Sequence, residues 1–437
     1  MKIWLIPLFT LFCFPVVAQL QFNSLDELLK YADKHAIALQ TAAISEQTAI
    51  ANAKESSAYL FPTLNASAGY NDNITLQATL LPAQLVDPTA PEGTYDELTF
   101  GKKHAYSAGV NAQWDILNFQ KSMASQTAKI LVEESKVNTQ RIKFNTYNQL
   151  VSIYYSIVLT QEALAIYEEN LRVATAIYES AKEKYQEGII EEAKLNAAAI
   201  QKLSSRSILG ESTDNVKSFY IQLQSLLNTQ ETVLVQDSPE HFMLANTKIQ
   251  TLHPEILWQQ VEVKKSESLL KQKKALHLPS ASIFYQYNYN WATDNFFSFD
   301  DVSKLPQQFV GIKLNIPVFN GFSTRQKIIL SQHELQLQEL QLKNTKLVKQ
   351  KEDDLLLLDS KKSAQLLADH QQMLDLQQQN DAHAENKYKS GIISLDERLD
   401  KYEDLLKMQN NYLQSLASLT LSHYKIYIRQ IDFTTYE

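Results

Sequence analysis

Twice in its 437 residues the sequence runs for about 68 residues without a glycine or a proline, over 120–187 and over 322–390. A helix of that length extends roughly 100 Å at 1.5 Å per residue, and no ordinary globular core needs such a rod. The neighbourhood of each rod is also written twice. Residues 53–73 (AKESSAYLFPTLNASAGYNDN) are echoed by 270–290 (LKQKKALHLPSASIFYQYNYN), with Pro62 falling on Pro279. Residues 108–119 (AGVNAQWDILNF) are echoed by 310–321 (VGIKLNIPVFNG), and 184–197 by 387–400. Three echoes in one order make an internal duplication, which must be recognised before any fold is assigned. The organisation expected is a first repeat over 19–230, a linker over 231–250 containing Pro239, a second repeat over 251–430 and a tail over 431–437.

Ser24 followed by Glu27 is a capping-box start, and the sequence stays helical in composition until Phe61-Pro62. From Thr63 the period changes to two, which is a strand signal. Strands are expected at about 63–77, 104–115, 280–291 and 307–316, with 78–103 and 292–306 as exposed connections. One face collects Leu64, Tyr70, Val110, Trp114, Ile283, Tyr285, Tyr287, Tyr289, Val310 and Ile312, while Asn65, Ser67, Asn111, Gln286, Asn288 and Lys313 fall on the other. An apolar face rich in tyrosine and tryptophan opposite a polar one is the pattern of a strand in an outer-membrane barrel, the first face toward lipid. A soluble antiparallel sheet with one wet face gives the same alternation.

Each rod then meets a glycine, Gly188 or Gly391, with return helices expected over 191–228 and 394–429. Glycine just past a helix end is the expected stop, so each rod and its return helix form a hairpin with its tip at 186–190 or 389–393. Leucines and methionine at three- and four-residue steps, such as Leu335, Leu342, Leu366, Met373 and Leu376, support coiled-coil-like packing. The run Leu355 to Leu358 covers more than one face and implies neighbours on two sides.

Residues 1–18 carry Lys2, an apolar stretch from Ile3 to Val17 and a Val-Val-Ala ending, which reads as a secretory signal peptide. Bulky Phe12 before Cys13 speaks against lipoprotein processing. Cleavage after Ala18 removes the sole cysteine, and with it disulfides, thiol catalysis and cysteine zinc sites. No later segment offers the roughly 18 consecutive apolar residues of a spanning helix, so an exported chain of this kind would span a membrane as a closed β-barrel. The net charge of −8 gives no basic patch for nucleic acid. The nine histidines form no His-Glu-x-x-His, and no phosphate-binding glycine loop or Gly-x-Ser-x-Gly elbow occurs, so neither catalysis nor a metal or cofactor is expected. Four strands cannot close a barrel whose smallest form has about eight. An open edge in lipid is not tolerated, which calls for several copies of the chain.

The order of elements, the doubled helix–Pro–strand segment, the NIPVFNGF run (315–322) and the two Tyr-x-x-Gly tips at Tyr185–Gly188 and Tyr388–Gly391 resemble the TolC family of outer-membrane efflux ducts over essentially the whole mature chain. The resemblance implies a mainly α fold with a small transmembrane β part. In it, three chains each give four strands to one twelve-stranded barrel, continued by a long periplasmic α-helical barrel. It also implies a place in the outer membrane of a Gram-negative-type bacterium, with a large periplasmic part. The partners implied are a periplasmic adaptor (membrane fusion) protein, an inner-membrane pump and outer-membrane lipid. By match, the tip and adaptor-contact residues are Tyr185, Gly188, Ile189 and Leu195, with Tyr388, Gly391, Ile392, Ser394 and Leu399 in the second half. Glu397 and Asp400, six and nine residues after the second glycine, correspond to the acids at the tunnel entrance. Three apart on a helix, they share one face.

The chain departs from the family where familiar members tie the tip shut: it has Ile393 for the basic residue and Lys194 for the acid. Ile37 stands where the second copy has Pro254. Two other readings fit the same sequence, a periplasmic coiled-coil scaffold without a barrel and a duct for type I protein secretion. Neither pump nor cargo is named by any motif.

Overall fold

The computed structural model describes residues 19–238, 248–249, 251–297 and 303–433. The expected signal peptide, most of the linker from 239 onward and the end of the tail lie outside the described residues. The elements run β1 (Gln19–Phe22), α1 (Leu25–His35), α2 (Ile37–Ser56), β2 (Thr63–Asp72), β3 (Ala78–Pro82), β4 (Tyr95–Thr99), β5 (His104–Asn118), α3 (Phe119–Gln186) and α4 (Glu192–Leu227). They continue with β6 (Thr232–Val235), α5 (Pro254–Lys274), β7 (Ser280–Thr293), β8 (Ser303–Asn315), α6 (Ser323–Lys389) and α7 (Leu395–Gln430).

The duplication is visible element by element. Helices α3 and α6 are 68 and 67 residues long, and α4 and α7 are 36 each. Helix α2 begins at Ile37 and α5 at Pro254, the positions that the echo puts opposite each other. Asn118 and Asn320 are likewise opposite each other, and each caps the rod after it. The side-chain oxygen of Asn118 accepts from the Lys121 amide at 3.0 Å, and that of Asn320 from the Thr324 amide at 3.4 Å. Such a cap satisfies an amide that has no partner inside the helix.

Two compact units divide the chain, and neither is a sequence repeat: each draws on both. The first takes residues up to 47, 134–261 and those from 340 on; the second takes 48–133 and 262–339.

The second unit holds the four-stranded antiparallel sheet, in the order β2-β5-β7-β8. Its register aligns Leu64, Ala112, Tyr285 and Val310 across the sheet, and in another row Tyr70, Tyr106 and Trp291. One extra residue in β5 between Trp114 and Leu117 makes a bulge. Among the described residues, both β2 and β8 lack a partner on their outer side. Pro306, within β8, has no amide to give, which an edge strand tolerates.

In the first unit one core gathers Leu28 and Ala32 of α1, Leu150, Tyr154 and Val158 of α3, Leu223 and Leu227 of α4 and Ile428 of α7. A second core lies between the hairpins, from Ala174 and Ala181 of α3 to Leu374 and Tyr388 of α6 and Leu395, Leu399 and Tyr402 of α7.

Several expectations are corrected. β2 stops at Asp72, and the 78–103 connection contains the β3–β4 hairpin, in which Thr79 pairs with Leu98 and Leu81 with Asp96. β5 runs on to Asn118, and β8 starts at Ser303 rather than 307, because Pro306 does not end an edge strand. The helix from Ser24 breaks at Ala36, whose extended backbone (ψ 121°) separates α1 from α2. Residues 232–235, read as linker, form β6 and pair in parallel with β1 across more than two hundred residues. Finally, α3 does contain an 18-residue stretch of mean hydropathy 1.3.

Candidate functional site

The two tips are built by one backbone device. Gly188 (φ +74°) and Gly391 (φ +72°) both take the left-handed conformation just past their helices. In the first tip the Gly188 amide donates to the Tyr185 carbonyl at 3.0 Å and the Ile189 amide to that of Lys184 at 2.8 Å. The second repeats this with Gly391 to Tyr388 at 3.1 Å and Ile392 to Lys387 at 2.9 Å. This paired arrangement satisfies the last carbonyls of a helix, and it requires a residue that accepts positive φ.

The tips differ at the start of the return helix. Ser394 caps α7 by accepting from the Glu397 amide at 3.2 Å, with Asp396 and Glu397 in the first turn, whereas Glu191 opens α4 with no side-chain cap.

Side-chain surroundings separate the matched residues into two sets. Ile189 and Ile392 are exposed at 64% and 70%, Tyr185 is 40% exposed, and Glu397 and Asp400 point into solvent. These are the groups a partner can reach. Tyr388, Leu399 and, in part, Leu195, expected among the contact residues, are buried in the core between the hairpins.

Two lysines of the first hairpin join it to the second. Lys184 Nζ lies 3.9 Å from the centre of the Tyr388 ring, in cation–π geometry. Lys194 Nζ lies 3.1 Å from an oxygen of Asp396. The departure at Lys194 is thus met within the chain by an ion pair of reversed sense. Both partners are substantially exposed, so the pair orients more than it stabilises.

Sequence reasoning missed the buried polar groups behind the tip. Arg398 is 1% exposed and holds Asp381 of α6 through both guanidinium nitrogens, at 2.5 and 3.2 Å. Burial pushes the Tyr402 hydroxyl up to about 12, and it donates to the Asn170 carbonyl of α3 at 2.6 Å. Asn170 in turn donates to Gln409 at 2.8 Å. The signal was available: Arg398 stands on the stripe Leu395, Leu399, Tyr402, Leu405, where a charge must find a buried partner.

In the sheet, the register places all ten residues expected to meet lipid on one face. Leu64, Val310 and Ile312 are more than 70% exposed there. Near the loop end the face carries an aromatic cluster in which Tyr106 and Trp291 stack at 5.5 Å and Tyr70 lies 5.0 Å from Tyr106. The opposite face carries the amides Asn65, Asn111, Gln286, Asn288 and Asn290.

A family model described as outer membrane efflux protein matches residues 28–229. No curated protein matches the chain. Among solved structures, the Campylobacter jejuni CmeC outer membrane channel is similar with a TM-score of 0.74 at 17% identity, over 94% of this chain and 87% of that one. The outer membrane protein VceC of Vibrio cholerae is similar with a TM-score of 0.71 at 14% identity, over 94% and 96%. The MtrE outer membrane channel of Neisseria gonorrhoeae, in its open state, gives 0.69 at 13% identity, over 93% and 88%. At such identities the likeness is one of fold, and it extends over 93–94% of this chain.

Proposed function

We propose that this chain belongs to the outer membrane efflux protein family, whose model matches residues 28–229, and that it is the outer-membrane channel of a tripartite export system. It would conduct drugs or other small molecules passively from an inner-membrane pump to the cell exterior. The observation that carries this reading is the sheet: four strands, an apolar aromatic face, a polar face, and two unpaired edges. In lipid those edges must be paired. Joining β8 of one copy to β2 of the next supplies the missing partners, and three copies give a twelve-stranded barrel of the size range that membrane barrels adopt.

Exposed leucines along α6, among them Leu330, Leu337, Leu340 and Leu347, leave a stripe uncovered by the described residues. A neighbouring copy covers it in this reading, and the rods together wall a periplasmic duct. The exposed tip residues Tyr185, Ile189 and Ile392 then meet the adaptor, and Glu397 and Asp400, repeated by symmetry, favour cations at the entrance. In the family resemblance the channel itself performs no chemistry, and the pump selects the cargo.

The test is direct. Detergent-extracted protein run on a gel without boiling, imaged by negative stain and reconstituted in planar bilayers should give a heat-sensitive trimer, rods longer than roughly 100 Å as set by helix rise, and ion conductance. A monomer or dimer released by alkali without detergent would turn the reading to a periplasmic scaffold. Gly188→Pro with Gly391→Pro should leave the barrel inserted and stop export, since proline is confined to negative φ. Unchanged export would remove the tips from the pathway.

A further inference from the structure

The duplication supplies its own comparison for the polar face of the sheet, the face toward the lumen in the channel reading, on which this inference rests. Gly109 of β5 and Gly311 of β8 fall opposite each other in the echo. Each is a floor beneath a side chain of β7: a Cβ on Gly109 would lie 2.4 Å from Asn288 Oδ1, and one on Gly311 would lie 2.6 Å from Phe284 Cζ. So the Phe284 ring lies across bare β8 backbone. Phe309, two residues along, meets it edge to face, with centroids 5.9 Å apart and planes at 82°, and is itself 39% exposed. The first repeat carries Ser67 and Ser107 at the matching positions. The aromatic pair is therefore an addition of the second repeat to a wall otherwise built mainly of amides, hydroxyls and glycine, with Ala105, Ala292 and Leu305 toward the loop end.

A charge stands beside it. Of the charged residues in the four sheet strands, Lys313 and Asp115 fall on this face, Asp115 through its bond to Gln113 at 3.3 Å. Asp115 is taken by Lys121 at 2.6 Å. Lys313, one row from Phe284 in the register, is exposed and has no ion-pair partner among the described residues; the first repeat has Asn111 in its place. Two phenyl rings next to an uncompensated ammonium fit a planar apolar ring system bearing one negative group. We propose that Phe284, Phe309 and Lys313 form a contact site for aromatic anions on the inner wall of the barrel.

The test is block of the reconstituted channel by 2-naphthalenesulfonate added on the barrel side, with methanesulfonate and naphthyltrimethylammonium as controls for charge and ring. The naphthalenesulfonate should block where neither control does. Phe284→Ala with Phe309→Ala should raise the half-blocking concentration about tenfold, equivalent to about 1.4 kcal/mol. Lys313→Gln should raise it about threefold at low salt, with the difference fading as screening grows. Gly311→Ala, which displaces the Phe284 ring without deleting it, should act in the same direction, and an intact unboiled trimer shows that each variant has folded. Equal block in all variants, or equal block by the cation, overturns the site while leaving the channel standing. Absence of any current overturns both.

Discussion

At His253 a helix start and a proton compete for one nitrogen. Nδ1 accepts the Glu255 amide at 3.1 Å and so caps α5. Burial, assisted by the charges of Arg429 and Lys349, holds the imidazole down to about 4 from an ordinary value of 6.5. Between those values the unfolded chain binds the proton and the folded chain does not. The contribution is therefore complete above about pH 6.5 and is lost as pH falls toward about 4. His253→Asn keeps a capping oxygen but does not titrate. The thermal midpoint of the natural protein should fall more steeply across that window than that of the variant, and parallel curves would remove His253 from the acid response. The tip glycines offer a different residue-scale test. An added Cβ at Gly188 or Gly391 meets nothing within 4 Å. Alanine there should cost only the backbone penalty of positive φ, about 1–2 kcal/mol each by denaturant titration.

Elements are held to one another by a few buried polar contacts set in apolar packing. The Arg398–Asp381 pair joins α7 to α6 just behind the tip. Removing one partner strands the other charge, so Arg398→Met or Asp381→Asn should cost about 3–5 kcal/mol, while Arg398→Met with Asp381→Leu should restore most of it. Loss of helical circular dichroism on heating is the measurement, and a double variant as weak as the singles would refute an ion-pair role. The exposed Lys194–Asp396 pair is a contrasting case: Lys194→Gln should change stability by less than about 1 kcal/mol.

For the whole molecule, the proposed channel turns on which face of the sheet meets lipid. Adjacent residues on β7 test it, because a strand turns successive side chains to opposite sides. Tyr285→Arg should destabilise the trimer by about 2–4 kcal/mol, read as a lower dissociation temperature on unboiled gels. Gln286→Arg should leave that temperature nearly unchanged and shift ion selectivity toward anions. The reverse result would put the amides outward and exclude a barrel of this polarity.

The duplication, the two rods, the glycine tips and the two-faced strands were legible in the sequence because each obeys a local rule. Helix and strand periods are written in neighbouring residues, and the tip needs only glycine where φ turns positive. The start of α2 at Ile37 is not legible there, because no glycine or proline marks the break after α1. What only the tertiary structure decided lies in contacts between distant segments. Tyr185 and Tyr388 occupy the same motif, yet one is exposed and the other buried beneath Lys184. β6 finds its partner at residues 19–22, and Lys194 finds Asp396. None of these can be read from spacing, because which surfaces meet is set by packing distant segments against each other, and matching local motifs then acquire different surroundings.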